Sequence, residues 1–119
     1  MYTSTLLVRV MSSNLYGCIL LTPREWFEEC LRRDCRVYNF RPGSNPKGIR
    51  KLGDGSICLV LAKGQGLFVG ELIVKEVTRV TASEFHERYA KLAVEVGAPF
   101  PKGDESCWII VFDKLIKYE

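Results

Sequence analysis

The sequence has few of the residues on which metal sites and common catalytic mechanisms depend. Its single histidine, His86, has no second histidine or cysteine at metal-ligand spacing. Any Ser-His-Asp or Cys-His mechanism would depend on the same residue, and no nucleophile-elbow motif accompanies it. The Gly-Asp-Gly and Gly-Gln-Gly stretches at 53–55 and 64–66 match neither a P-loop nor a dinucleotide fingerprint. We therefore expect no metal, no cofactor and no catalytic residue of these kinds.

Long apolar runs and paired cysteines are also missing. No run is long enough to span a bilayer, and the short apolar stretch near the N-terminus has no basic leader. We therefore expect no secretion signal and a cytoplasmic protein. The five cysteines form no C-x-x-C pair and are odd in number, which favours core thiols over disulfides. They are Cys18, Cys30, Cys35, Cys58 and Cys107.

The residues that are present fit one globular domain. A chain of 119 residues with 47% hydrophobic content can bury roughly two thirds of its unfolded surface without disulfides or a structural metal. We therefore expect a single domain over residues 1–119. The net charge of +3 permits a polyanionic partner without requiring one.

A β-hairpin is the clearest structural pattern. The apolar run Ile57–Leu61 has strand length, the glycine-rich stretch Lys63–Gly66 can reverse the chain, and Leu67–Val77 is again rich in strand formers. Gly70 interrupts the second strand, which indicates a bulge or the close approach of another backbone.

Two capping-box patterns, Thr22–Glu25 and Thr81–Glu84, predict the starts of two helices. We expect the first helix to end near Asp34 and the second at Gly97. Each carries an apolar stripe, so both should pack on a sheet. The stripe of the second helix is Phe85, Tyr89, Leu92, Ala93 and Val96.

Shorter strand-like segments surround the hairpin and the helices. They cover residues 6–11, 36–41 and 107–115, and residues 15–21 are either a strand or a buried connection. The order lacks the regular alternation of a doubly wound sheet. It predicts an α+β fold, a small and mostly antiparallel β-barrel or curved sheet flanked by two helices.

Aromatic and amide side chains mark a candidate nucleobase site. Ser13 and Asn14 follow the first strand-like segment, and Tyr38, Asn39 and Phe40 lie together in a later one. Aromatic rings stack on bases, and asparagine pairs with base edges. The alternative is that Tyr38 and Phe40, which alternate onto one strand face, fill the core.

Basic residues mark a candidate phosphate site beside it. Seven arginines and lysines fall within residues 32–51, opposed there only by Asp34. Such a patch can contact phosphates, although a solvated basic face is the alternative. Lys63, in the predicted hairpin turn, is a further candidate or an ordinary turn residue. The candidate phosphate contacts are Arg36, Arg41, Lys47, Arg50, Lys51 and Lys63.

The order of these segments resembles a known superfamily. A helix precedes the aromatic-Asn segment at 37–41, and an Arg-Lys-Leu-Gly-Asp turn at 50–54 precedes an apolar strand. A strand with Val-Gly-Glu-Leu-Ile-Val at 69–74 follows. Over roughly residues 6 to 80 the chain resembles the PUA-like superfamily, most closely the EVE-type domain, which is related to YTH and ASCH domains.

The resemblance implies a pseudo-barrel with a pocket for an extruded and often modified nucleobase. By position, the pocket would draw on Ser13, Asn14, Tyr38 and Asn39, with Tyr38 standing where a tryptophan is expected. We therefore expect a binding module for nucleic acid, RNA in particular, or for a modified nucleobase, as a monomer or weak dimer without a membrane partner.

Two alternatives remain open at this point. One is a small ASCH-like amidohydrolase acting on a modified nucleoside, with Lys63 and Glu71 brought together by the hairpin. The other is a protein-interaction domain, which exposed tryptophans would favour because aromatic side chains anchor interfaces. We expect both Trp26 and Trp108 to be buried.

Overall fold

The computed structural model describes residues 17–119. The predicted first strand at 6–11 lies outside this range, as do Ser13 and Asn14. No helix in the described range is long and apolar enough to cross a bilayer. The elements are β1 (Cys18–Thr22), α1 (Arg24–Arg33), β2 (Val37–Asn39), a 3₁₀ turn (Ile49–Lys51), β3 (Ile57–Ala62), β4 (Leu67–Thr81), a helical segment α2 and β5 (Ser106–Lys117). Segment α2 consists of an α-helical turn (Ala82–Glu84), a π-helical turn (Phe85–Tyr89) and a 3₁₀ turn (Ala90–Leu92).

The strands form one curled, mixed, five-stranded sheet with the order β1-β3-β4-β5-β2. β1 runs parallel to β3, and the other three neighbouring pairs are antiparallel. This half-barrel with two flanking helices confirms the predicted α+β fold of a mostly antiparallel curved sheet. The strand interpretation of residues 15–21 is also confirmed for the part that forms β1.

The two helices pack against opposite faces of the sheet, and the side chains of β5 point alternately to these two faces. One set of β5 residues packs with α1 in the main core, and the other set packs under α2. The first set is Trp108, Ile110 and Phe112, and the second set is Cys107, Ile109 and Val111. Strand β5 is therefore shared by both cores.

The predicted hairpin is confirmed as β3 and β4, joined at residues 63–66. Gly70 pairs with Val60, and the register shifts immediately beyond this pair. A Cβ at Gly70 would overlap the carbonyl oxygen of Ile116 and the ring of Phe27. Gly70 therefore lets α1 and β5 approach β4 closely, as its position in the strand predicted.

The predicted start of the first helix is wrong. Thr22 is the last residue of β1, where it pairs with Ala62, and its side chain is buried. Pro23 occupies the N-cap position, and no side chain caps the helix. Thr22 therefore pairs within the sheet and does not serve as the N-cap that the local pattern predicted. The predicted end is confirmed, because Asp34 adopts the left-handed conformation with φ 56°.

The second helix begins as predicted but ends earlier. The reciprocal capping box between Thr81 and Glu84 is present, with both hydrogen bonds formed. The helical segment ends at Leu92, and Ala93 is extended, so the predicted end at Gly97 is wrong. The π-helical turn changes the helical spacing, and the chain leaves the helix to bury Ala93 and Val94 in the two cores.

We expect Thr81→Ala to lower the free energy of unfolding by about 1 kcal/mol, because the N–H of Glu84 loses its cap. Urea unfolding followed by circular dichroism measures the change. Ser83→Ala, an exposed position in the same turn, is the matched control and should be nearly neutral. Equal effects at both positions would contradict the role of the cap.

We expect Gly70→Ala to lower the free energy of unfolding by about 1–3 kcal/mol, because the new methyl group overlaps a backbone oxygen and a buried ring. Thermal unfolding tests this. Gly53→Ala is the control, since a Cβ there meets nothing within 4 Å. A neutral Gly70→Ala variant would show that α1 and β5 do not pack against β4 this closely.

Candidate functional site

A polar cleft of about 200 Å³ opens beside the end of β4 and the start of β5. Its residues come from three separate parts of the chain, which the sheet brings together. The lining consists of Gly43, Ser44, Asn45, Arg50, Arg79, Ser106 and Trp108.

The pairing of β4 with β5 determines the positions of two of the larger side chains in the lining. Arg79 lies directly opposite Trp108 in the ladder, so both side chains project from the same face of the sheet. The Nε of Arg79 donates a hydrogen bond to Ser106 Oγ at 3.1 Å. This bond uses one N–H of the guanidinium and leaves its other donors available.

The connection between β2 and β3 forms the opposite wall. Its backbone follows β5, since Phe40 N donates to the carbonyl of Trp108 and Gly43 N donates to the carbonyl of Ser106. The indole Nε1 of Trp108 donates to Asn45 Oδ1 at 3.2 Å. The amide of Asn45 thereby fixes the orientation of the indole ring.

Arg50 completes the cleft from the 3₁₀ turn. The buried side chains of Ile49 and Leu52 anchor this turn in the main core, and Arg50 between them projects outward. The Cζ of Arg50 lies 5.4 Å from the ring centroid of Trp108. A cation–π contact of this kind contributes about 0.5–1 kcal/mol at an exposed site.

The cleft carries positive charge that no carboxylate offsets. Neither Arg50 nor Arg79 forms an ion pair with any residue between 17 and 119, and the lining includes no acidic side chain. By contrast, four other arginines pair with carboxylates in or beside α1. They are Arg24, Arg32, Arg33 and Arg36.

The groups that line the cleft can bind an anion. The lining contains serine hydroxyls, an asparagine amide, an indole and two guanidinium groups. No group of three or more histidine, cysteine or acidic side chains among residues 17–119 is arranged to hold a metal ion. The cleft therefore has the chemistry of a binding site for a phosphate or another anion beside an aromatic ring.

Tyr38 and Phe40 are partly buried against the main core and do not line this cleft. The ring of Tyr38 contacts Trp26 edge-on at a centroid distance of 4.9 Å and Phe40 at 5.1 Å. Burial raises the pKa of Tyr38, while its hydrogen bond with Thr22 acts in the opposite direction. These contacts correspond to the core alternative that the strand alternation left open.

Asn39 is buried on the other face of β2. Its Nδ2 donates to the carbonyl oxygens of Pro99 at 3.2 Å and Ala98 at 3.5 Å. The amide thus holds β2 to the loop after α2. These bonds satisfy the donor group of the buried amide.

Four of the six predicted phosphate contacts lie at or beside the cleft, and Arg36 and Lys63 lie elsewhere. Arg50 lines the cleft, and Arg41 and Lys47 are exposed on the connection that forms its wall. Lys51 is exposed on the same 3₁₀ turn. Arg36 forms a 2.9 Å ion pair with Asp34, which offsets its charge. Lys63 lies in the hairpin turn, at the opposite end of β4.

The hairpin does not bring Lys63 and Glu71 together. Glu71 pairs with Leu59, four residues before Lys63, which is roughly 13 Å along a strand. Glu71 is buried, and its Oε1 accepts a 2.7 Å hydrogen bond from the hydroxyl of Tyr118. Burial, together with the neighbouring carboxylate, raises the pKa of Tyr118.

Sequence reasoning missed most of the residues that line the cleft. Trp26 is buried as expected, but Trp108 is only half-buried and its indole faces the cleft. The isolated tryptophan near the start of an apolar strand could have indicated a residue of the site. The sequence around Arg79 contains no such indication, because only the register of β4 against β5 places this residue beside Trp108.

The comparisons with known proteins identify the fold. No protein-family model matches the sequence, and no curated protein is significantly similar to it. Three crystal structures of the ASCH protein of Zymomonas mobilis, one unmodified and two carrying point mutations, are similar in structure. They match with TM-scores of 0.58, 0.58 and 0.57 at 11% sequence identity. The matches cover 85–87% of this chain and 68–71% of those chains. The chain therefore has a fold similar to that of these ASCH structures.

We expect Tyr118→Phe to lower the free energy of unfolding by about 1–3 kcal/mol at neutral pH, because the buried carboxylate of Glu71 loses its donor. The pKa of Tyr118 is raised above its ordinary value of 10.0, so unfolded chains lose this proton first as pH rises. The difference between wild type and variant should therefore be complete below pH 10.0 and shrink above it.

Urea unfolding at several pH values measures this difference. Tyr89→Phe, at a half-buried tyrosine of α2 that is not the donor to Glu71, is the control and should change the free energy of unfolding less at neutral pH. A Tyr118→Phe variant as stable as wild type at neutral pH would contradict the importance of the bond to Glu71.

Proposed function

We propose that this protein binds single-stranded nucleic acid, RNA in particular, at the cleft between Arg50, Arg79 and Trp108. The observation that carries this proposal is that two guanidinium groups, which form no ion pair with residues 17–119, line the same cleft as a half-buried indole. In the proposed complex, Arg50 and Arg79 hold phosphate oxygens and a base stacks at Trp108.

The chemistry of the groups supports this ligand class. Arginine forms forked hydrogen bonds with phosphate oxygens, and aromatic rings stack on the faces of unpaired bases. The guanidinium of Arg50 covers the indole, but bases also stack on guanidinium planes. An incoming base therefore either extends the stack above Arg50 or takes its place on Trp108.

Exposed basic side chains around the cleft favour a nucleic-acid ligand longer than one nucleotide. Arg41, Lys47 and Lys51 are exposed on the wall and on the 3₁₀ turn that bears Arg50. Basic side chains along a groove attract the sugar-phosphate backbone without selecting a sequence. We also propose that the cleft selects a modified base, because the EVE-type resemblance predicts such a ligand.

The site that we propose differs from the pocket that the sequence indicated. It keeps Arg50 and the neighbouring basic residues and replaces the stacking role of Tyr38 with that of Trp108. Lys63 and Glu71, the residues that the sequence suggested for the hydrolase alternative, lie apart in the hairpin.

Association with a protein is a second candidate function, favoured by exposed apolar side chains on one face of the sheet. Ile19 and Ile116 lie in one line of cross-strand partners that runs across β1, β3, β4 and β5. Leu61 and Phe68 are partners in the neighbouring line. The exposed members of this face are Ile19, Leu21, Phe68 and Ile116. Concentration-dependent mass in sedimentation without oligonucleotide binding would favour this candidate, or the weak dimer.

We expect Trp108→Ala to weaken binding of a fluorescein-labelled single-stranded RNA at least about 5-fold, because stacking contributes about 1–3 kcal/mol per base. Arg50→Ala should weaken binding and reduce the slope of log affinity against log salt by about 0.7, the value for one phosphate contact on a single strand. Fluorescence anisotropy at several salt concentrations measures both, with DNA and modified-base oligonucleotides in the same panel.

Arg88→Ala is the matched control for Arg50→Ala. Arg88 also lies over an aromatic ring, that of Tyr89 at 5.7 Å, but it belongs to α2 on the opposite face of β5. It should leave affinity and salt slope unchanged. Wild-type protein that binds no oligonucleotide at low salt, or variants at all three positions that behave alike, would contradict the proposed site.

A further inference from the structure

Two cysteine thiols face each other across the parallel strands β1 and β3. Cys18 and Cys58 are direct partners in the ladder, although 40 positions separate them in the sequence. Their Sγ atoms are 3.1 Å apart. A disulfide needs a sulfur separation of about 2.05 Å, so a shift of roughly 1 Å joins them.

The two thiols differ in accessibility. Cys18 is partly exposed on β1, the terminal strand of the described sheet, whereas Cys58 is fully buried. The hydrogen bond between them lowers the pKa of Cys18 and raises that of Cys58. Cys18 is therefore the thiol that an external reagent reaches and that ionises first, because the thiolate is the reactive form.

A second thiol pair in the same protein serves as a comparison. Cys30 and Cys35 lie at the end of α1, where Cys35 N donates to the carbonyl of Cys30. Both are buried, and burial raises the pKa of Cys30. Proximity is thus common to both pairs, and accessibility distinguishes Cys18 from the rest.

We propose that Cys18 and Cys58 form a redox-active pair, which closes to an intramolecular disulfide on reaction with a low-molecular-weight disulfide such as oxidised glutathione. Neither the proposed nucleic-acid cleft nor its residues take part. The disulfide would join the terminal strand of the described sheet covalently to β3.

The reaction proceeds by two exchanges. The Cys18 thiolate attacks one sulfur of oxidised glutathione, whose S–S bond breaks and releases one glutathione thiolate. Cys58 then loses its proton to solvent and attacks the Cys18 sulfur of the mixed disulfide, which expels the second glutathione thiolate. The two protein thiols are oxidised, the glutathione disulfide is reduced, and the two protons released by the protein end on the two glutathione molecules.

The test incubates the folded wild-type chain with mixtures of oxidised and reduced glutathione, and then quenches the exchange with acid, unfolds the chain and alkylates it. Peptide mapping by mass spectrometry locates the product. We expect a Cys18–Cys58 disulfide and loss of two of the five alkylatable thiols, while Cys30, Cys35 and Cys107 remain reduced.

Three variants sharpen the result. Cys58→Ser should stop at a mixed disulfide on Cys18, Cys18→Ser should take up no glutathione, and Cys107→Ser should behave as wild type. Retention of all five thiols by the wild-type chain, or a disulfide that instead joins Cys30 to Cys35, would overturn the proposal. Because the wild-type peptide map decides this by itself, a variant that fails to fold does not affect the conclusion.

Discussion

The antiparallel pairing of β4 with β5 is the constraint on which the rest of the structure depends. It runs from Gly70 opposite Lys117 to Thr81 opposite Ser106, with two register shifts near Val74 that bend the sheet. Because β5 alternates between the two helices, the same ladder supports both cores. The close approach of α1 at Gly70 and the capping of α2 at Thr81 both occur on this long strand.

The cleft is a consequence of that pairing. The register sets Arg79 opposite Trp108, and the backbone of the connection after β2 follows β5 far enough to bring Asn45 to the indole. Anchoring of the 3₁₀ turn in the core then places Arg50 over the ring. Positive charge remains there because no acidic side chain lines the cleft and neither Arg50 nor Arg79 forms an ion pair with a described residue.

Local sequence patterns predicted the elements better than the site. Apolar runs and glycines identified the β3–β4 hairpin and the role of Gly70, and the capping box at Thr81 formed as its sequence predicts. The cap expected at Thr22 failed because pairing with β3, a contact distant in sequence, outweighed a local preference. The candidate site also depends on contacts between residues far apart in the sequence. The packing of Tyr38 against Trp26 and the pairing of Arg79 with Trp108 cannot be predicted from any short stretch.

In the proposed complex, Trp108 is the aromatic side chain that contacts nucleic acid, and Tyr38 and Phe40 are not. Titration of single-stranded RNA into ¹⁵N-labelled protein, followed through the two indole N–H resonances, tests this directly. Trp26 is buried and serves as the internal reference. We predict that the Trp108 indole resonance shifts in proportion to bound RNA while that of Trp26 stays in place. Binding that moves neither resonance, or that moves Trp26 alone, would contradict the role proposed for Trp108.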